Sequence, residues 1–385
     1  MKKLLIPLLI LFALQSFGQT SSTSSVAKTI LPSKDTLVAT ATKTTTIRSR
    51  TVYDTLITTT VKYDTLKYVA PVVVTPPPVT GMPGGLASKA VTYQNKSNFT
   101  ISGLSFDGGN GTVDLIVLNS CSNVHITLCR FSNTGARSIV LNNCHDITVD
   151  WNYFTMVGFG IDAIGCTGNI KTNFNQGLNL WQPAKYNSNF AHWVQYYKCS
   201  GSGQQINDNI FVSIDGVALH PHDCISSDLT SGTAASPVQI CRNKIFGGQY
   251  AGGFPNTNDT GVGITAPDEG GSYYLIKDNV VVNSGVNGII CVTTSAASNI
   301  VVDNNIILNY SKTAKVSYDG FTIKGAKSNM VVSNNRVRWL QTGGSYLGYW
   351  FGGSSTFPGV TFTNNNWNDA TLLPSVLPAS LLTFK

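Results

Sequence analysis

The chain has 385 residues, 42% hydrophobic and 12% charged, with a formal net charge of +7. That length can bury a substantial core, but the basic excess lies elsewhere: Lys and Arg number 17 against 16 Asp and Glu from Leu86 onward, and 9 against 3 in the first 85 residues. A broad basic groove of the kind that holds nucleic acid is therefore not expected in the larger part, and any anion site there must be local.

Residues 1–19 read as a secretory signal, with Lys2 and Lys3, an apolar run from Leu4 to Leu14, and the small residues Ser16 and Gly18 near the expected cut. The apolar run is too short to span a bilayer. With no Cys just after it, a lipid anchor is not expected either, so the chain should be secreted or held at the cell surface, with peripheral membrane association at most. Residues 20–85 are Thr- and Ser-rich, repeat DTL at Asp35, Asp54 and Asp64, and close on PVVVTPPPVTGMPGG. This composition suits a stalk or linker, although its β-prone segments could also cap the larger part of the chain.

From about Leu86 to residue 370 the chain repeats one short sentence. It is clearest at Ser298 to Asn309, SNIVVDNNIILN, and returns as FTISGLSFDG from Phe99, ITVDWNYF from Ile147, YLIKDNVVV from Tyr274 and MVVSNNRVR from Met330. Short strands and turns recurring every 20 to 50 residues, without helical spacing, describe an all-β solenoid of roughly nine or ten coils. One slot keeps returning as Asn, at Asn152, Asn173, Asn209, Asn243, Asn279, Asn305, Asn335 and Asn365, with Leu104 and Cys129 before them. Asn side chains stacked at the parallel-strand spacing can hydrogen-bond along the stack.

A second strand, written G-V-x-I or D-G-F-x-I, precedes each unit at Gly160, Gly216, Gly261, Gly288 and Gly320. Alternation turns Val217, Leu219, Val262, Ile264, Phe321 and Ile323 inward, and Ala218, His220, Gly263, Thr265, Thr322 and Lys324 outward. Cys121, Cys144 and Cys166 share one slot of successive coils. This favours free interior thiols over bridges, and no CxxC or Cys/His spacing of a zinc site is present. Residues 371–385, apolar and broken by Pro374 and Pro378, should fold across the last coil.

At this point the region from Leu86 onward resembles the right-handed parallel β-helix of the pectin-lyase-like superfamily, and the handedness is what that resemblance implies. The ladder intervals are 25, 23 and 21 residues as far as Asn173, then 36, 34 and 36 as far as Asn279, then 26, 30 and 30. Insertions therefore gather in three consecutive coils. Loops rising from neighbouring coils make the walls of a cleft, which places a site between Asn173 and Asn279.

The sharpest chemistry there is DGVALHPHDC, Asp215 to Cys224. His220, His222 and Asp223 are compact proton-transfer or metal-binding groups. By the same register Tyr197 falls in the column of His220, Gln195 and Asp162 fall in the column beside it, and Asp268 and Glu269 lie one coil later. HPHD is similar to the DPH(D/E) catalytic motif of β-helical mannuronan C5-epimerases, with His220 where that family has Asp and Val217 where it has its catalytic Tyr.

Two mechanisms fit these groups. In a lyase or epimerase, His222 or Tyr197 removes the proton beside a uronate carboxylate, and Asp223, Asp268 and Glu269 hold Ca²⁺ to stabilise the charge that develops. In a hydrolase, Asp223 pairs with Asp268 or Glu269 across the glycosidic bond. Trp193 and the neighbouring aromatics Trp181, Tyr196, Tyr250 and Phe254 could stack on sugar rings, and Lys324 with Arg336 and Arg338 could bind an anionic subsite. The expectation is a polysaccharide-acting protein, lyase or epimerase chemistry ahead of hydrolysis, with a non-catalytic glycan-binding solenoid as the other reading.

Overall fold

The structure, a computed structural model, describes residues 85–180, 191–213, 222–247, 261–282, 284, 286–292, 297–310, 319–325, 327–341, 345–350 and 356–373. The expected signal and stalk lie outside these residues, as do the strand expected at 216–219, His220, Trp181, Tyr250, Phe254 and most of 371–385.

The chain is a parallel β-helix. One sheet of ten strands runs in chain order from Ser97–Ser102 to Val360–Thr363, each strand paired in parallel with its counterpart one coil away. A second sheet of 18 strands forms the other two faces, because the long strands Arg130–Asn142 and Tyr153–Ile164 run on around a corner and join them. One coil therefore passes through face one (for example His192–Tyr197), face two (Gln205–Asn207) and face three (Ile210–Val212). Identical positions stack into columns. Ile161, Val194, Ile225, Ile264, Ile289 and Phe321 form one inward column of face one, and all of them are buried.

The corner between faces two and three explains the polar-then-Asn rhythm of the sequence. Leu128, Trp151, Phe174, Asp208, Arg242, Asp278, Asn304, Asn334 and Asn364 all hold φ between 54° and 58°, the left-handed region that Asn and Asp tolerate best. The residue after each turns inward. Asn152, Asn175, Asn209, Asn243, Asn279, Asn305, Asn335 and Asn365 then hydrogen-bond in one unbroken line, each Nδ2 donating to the next Oδ1 at 2.8–3.1 Å. The line runs through Asn175, where the sequence pattern places Asn173, and before Asn152 the slot holds Cys129 and Leu104, as the pattern places them. In TNFNQ the left-handed residue is Phe174, a type that seldom takes that conformation, so the pattern points to the wrong Asn.

The G-x-x-I strands also have a structural reason. A Cβ on Gly263 would lie 2.5 Å from the carbonyl oxygen of Gly288 and 2.4 Å from Val281 Cγ1, and one on Gly288 would lie 2.7 Å from the carbonyl oxygen of Gly320. Neighbouring coils approach too closely here for any side chain. Gly263→Ala should therefore lower stability by about 2 kcal/mol, as overpacking of a close-packed core does, in a thermal melt followed by circular dichroism. Gly263 thus faces the inner corner, contrary to the expected outward placement, and Val262 packs with Val286 and Ile290 in a small cluster apart from the main core.

All eight Cys are free and buried. Cys121, Cys144 and Cys166 do stack, and the column continues to Cys199, whose backbone N–H is taken up by Thr230 Oγ1 at 3.1 Å. The hydrogen bond with Cys166, and then burial, pushes Cys144 well above the ordinary thiol range, and against the opposing pull of Cys144 the Cys199 thiol and burial raise Cys166, so both are inert as nucleophiles.

Candidate functional site

The strands of face one that carry the candidate residues are His192–Tyr197, Asp223–Asp228 and Val262–Asp268, three neighbours on adjoining coils. Their register differs from the one read in the sequence. Tyr197 stands opposite Asp228, and Asp228 opposite Asp268. The face-one strand of that coil begins at Asp223, so the partner column of Tyr197 is filled by Asp228 and not by His220. The D-G-V-A-L segment imitates the repeat eight residues too early. Gln195 does pair with Asp162, as expected, and with Ser226 on its other side.

At the upstream end of this face, His192 stands opposite Asp223, and His222 immediately precedes it. His222 Nδ1 lies 3.1 Å from Asp223 Oδ2, and the Thr265 hydroxyl donates to Asp223 Oδ1 at 2.7 Å. His192 Nδ1–H donates to the Asp223 carbonyl at 3.2 Å, which places the lone pair of a neutral imidazole on Nε2. Burial drives His192 down to about 4, with the charge of Asp223 opposing and that of His222 adding, so the ring stays neutral at physiological pH. Its ring packs against Phe159 and His222 at centroid distances of 5.6 and 5.8 Å, tilted by 59° and 80°. Sequence reasoning misses His192 because it reads the partner column eight residues too early; correct register places His192 and Asp223 side by side.

At the downstream end carboxylates gather. Asp268 is raised to about 7, first by burial and then by the charges of Asp223, Asp228 and Glu269. Asp228 is raised to about 6 by burial and Glu269, against the pull of Lys198. The Lys198 backbone N–H donates to the Asp228 carbonyl at 2.9 Å, and its ammonium sits 4.7 Å from the centroid of the Tyr197 ring. Asp223, Asp228, Asp268, Glu269 and Lys198 thus share one electrostatic neighbourhood. Asp228 carries no motif in the sequence and emerges only from the strand register.

Several expected ligands sit elsewhere. Trp193 is buried, stacked on Phe211 at 5.2 Å and 4°, and fills the space left by Gly177, so it cannot meet a sugar. Arg336 is on face three, where its Nε donates to Asp369 Oδ2 at 2.7 Å, and Arg338 donates to the carbonyls of Ala370 and Leu372. Both clasp the segment beyond the last coil, and Leu372 packs against Val280, Val282 and Leu308 on the outer side of face three. Asp162 is buried, with Oδ2 held by Arg137 at 3.2 Å. Lys324 remains on face one, two strands beyond Val262–Asp268, or about 10 Å at the strand spacing. Among the described residues, the group of His, Cys, Asp and Glu whose ligand atoms converge within 4.8 Å is His192, His222 and Asp223. Asp268 and Glu269, expected to share a Ca²⁺ with Asp223, stand outside this group.

Fold and site together define the class: a parallel β-helix with an acidic, histidine-flanked face. No protein-family model matches the chain, and no curated protein does. Among solved structures it is similar to PfbA, a surface adhesin of Streptococcus pneumoniae, at 13% identity and a TM-score of 0.38, over 74% of this chain and 82% of that one. It is similar also to an exopolygalacturonase from Thermotoga maritima, at 8% and 0.39 over 74% and 84%, and to the A-module of a mannuronan C-5 epimerase from Azotobacter vinelandii, at 12% and 0.27 over 74% and 87%. Values this low transfer no activity.

Proposed function

We propose that the protein is an exported, carbohydrate-active β-helix protein that hydrolyses a neutral polysaccharide, with Asp268 as general acid and Asp228 as its carboxylate partner. The observation that carries this reading is the in-register pair itself. The backbones of directly opposed residues on parallel strands stand about 4.8 Å apart, which keeps the two side chains within reach of the separation of about 5–5.5 Å between the carboxyls of retaining glycosidases. Two carboxyls so close do not ionise together, and their environments divide the roles. Lys198 favours the charged form of Asp228, while Asp268, more deeply buried, keeps its proton to higher pH.

The sign of the site favours hydrolysis over the lyase or epimerase chemistry expected from sequence. A uronate brought to this face meets the carboxylic groups of Asp223, Asp228, Asp268 and Glu269 against the ammonium of Lys198, whereas elimination needs positive charge at the substrate carboxylate. A neutral ring meets no such repulsion.

The test is a screen of neutral and acidic polysaccharides, following reducing ends and the absorbance of unsaturated uronates in parallel. Reducing ends from a neutral polymer are expected. Unsaturated products would restore the elimination mechanism. Retention on a polysaccharide gel without any cleavage would favour the second reading, a non-catalytic glycan-binding solenoid. That reading has its own support in Trp151 and Phe174, which are exposed at 45% and 40% and stacked at 4.7 Å and 7° on the corner between faces two and three.

A further inference from the structure

We propose that His192, His222 and Asp223 form a binding site for a divalent transition-metal ion of the zinc type, separate from the Asp228–Asp268 pair. One ligand atom from each of the three lies within 4.8 Å of the others. Asp223 Oδ2 is 3.1 Å from His222 Nδ1, and His192, whose Nδ1–H is taken up by the Asp223 carbonyl, offers Nε2. Bonds of about 2.0–2.1 Å at a tetrahedral centre set ligand atoms roughly 3.3 Å apart, so small side-chain rotations bring this set onto one ion.

The surroundings are arranged as a metal site requires. The Thr265 hydroxyl engages Asp223 Oδ1 and leaves Oδ2 toward the imidazoles. Outer hydrogen bonds of this kind orient a ligating carboxylate. His192 supplies an independent sign: it is 1% exposed, yet its Nε2 has no hydrogen-bond partner among the described residues. An imidazole acceptor buried without a donor is costly, and a cation relieves that cost. Two imidazoles and one carboxylate select Zn²⁺, Co²⁺ or Ni²⁺ over Ca²⁺, which takes an all-oxygen shell. Three protein ligands leave a fourth position for water or a substrate hydroxyl. No local motif announces the set, because His192 and His222 come from successive coils and only the stacking joins them.

The test uses the full chain, treated with chelator and returned to chelator-free buffer. Zn²⁺ titrated by calorimetry is expected to bind at one ion per chain, and Co²⁺ to give the intense visible absorption of a four-coordinate N/O site. His222→Ala, at a partly exposed position that tolerates change, should weaken Zn²⁺ binding by about 100-fold, and Thr265→Val by about 10-fold. Glu269→Gln should leave it unchanged. His192→Gln is read only if its metal-free melt matches the parent. Unaltered Zn²⁺ affinity in the His222 variant would mean an adventitious ion only and would overturn the proposal, as would Ca²⁺ displacing Zn²⁺ at equal concentration. These readouts do not involve catalysis. Hydrolysis without Zn²⁺ binding sinks the metal site alone, and Zn²⁺ binding without hydrolysis sinks the hydrolase reading alone.

Discussion

Asp268→Asn should lower kcat on the polysaccharide by about 10³-fold, within the range that a positioned general acid contributes. The loss should depend on the leaving group. On an aryl glycoside of the sugar released from the polymer, departure of a stable phenolate needs little protonation, so the variant should recover most of its rate. Asp228→Asn should recover nothing, because the carboxylate it removes acts at the sugar carbon whatever group departs. Equal rescue of both variants, or of neither, would break this division of roles. The parent should show a bell-shaped profile of kcat/KM with limbs near 6 and 7, values that belong to the coupled pair, and Asp268→Asn should lose the upper limb.

The same substitution should stabilise the protein at high pH. Asp268 is raised in the folded chain from 3.8 to about 7, so the native state holds a proton that the unfolded chain releases. Its contribution is complete below about pH 4 and is lost as pH rises toward 7. Asn does not titrate. The variant should therefore gain on the parent across that window, by on the order of 2–4 kcal/mol once pH exceeds 7. A gain of stability at the cost of activity marks strain held at a working site.

The coil architecture is legible because period and alternation are written in every repeat: β-branched pairs supply the strands and Asn supplies the ladder. The site is legible only in part. Its neighbourhood follows from inserted lengths, and His222, Asp223, Tyr197, Asp268 and Glu269 do lie on one face, although the inserted segments 181–190, 214–221 and 248–260 lie outside the described residues. Register is the weak link. Between Asn209 and Asn243 the D-G-V-A-L segment carries the face-one pattern, whereas DCISSD, with Ser227 in the column of Ala163 and Tyr196, forms the strand. Ser227 is buried and shares a 3.0 Å hydrogen bond with the Tyr274 hydroxyl, a pairing across the core that no local pattern announces. That shift of register hides Asp228 and separates His192 from Asp223. Trp193 misleads for a related reason: only the three-dimensional gap at Gly177 shows that its ring points inward.

In the middle of the ladder, Asn243→Ala should cost about 3–5 kcal/mol, the largest loss expected from any single polar side chain in the core. Asn243 Nδ2 donates to the Ile206 carbonyl at 2.7 Å and to Asn279 Oδ1 at 3.0 Å, while its Oδ1 accepts from the backbone N–H and side-chain amide of Asn209 at 3.1 and 2.9 Å. All donors and acceptors of this buried amide are used. Truncation strands two donors of Asn209 and one carbonyl where water has little access, and each such group costs about 1–3 kcal/mol when left unmade. Asn365→Ala, at the half-buried end of the line, should cost only about 1 kcal/mol, because solvent replaces part of what is lost. Urea unfolding checks the ratio. Because each coil of a solenoid touches only its neighbours, a break at Asn243 should also divide the transition into two steps, with the terminal change leaving it single. Equal and small effects at both positions would mean that water enters the stack and that the aliphatic columns alone hold the coils together.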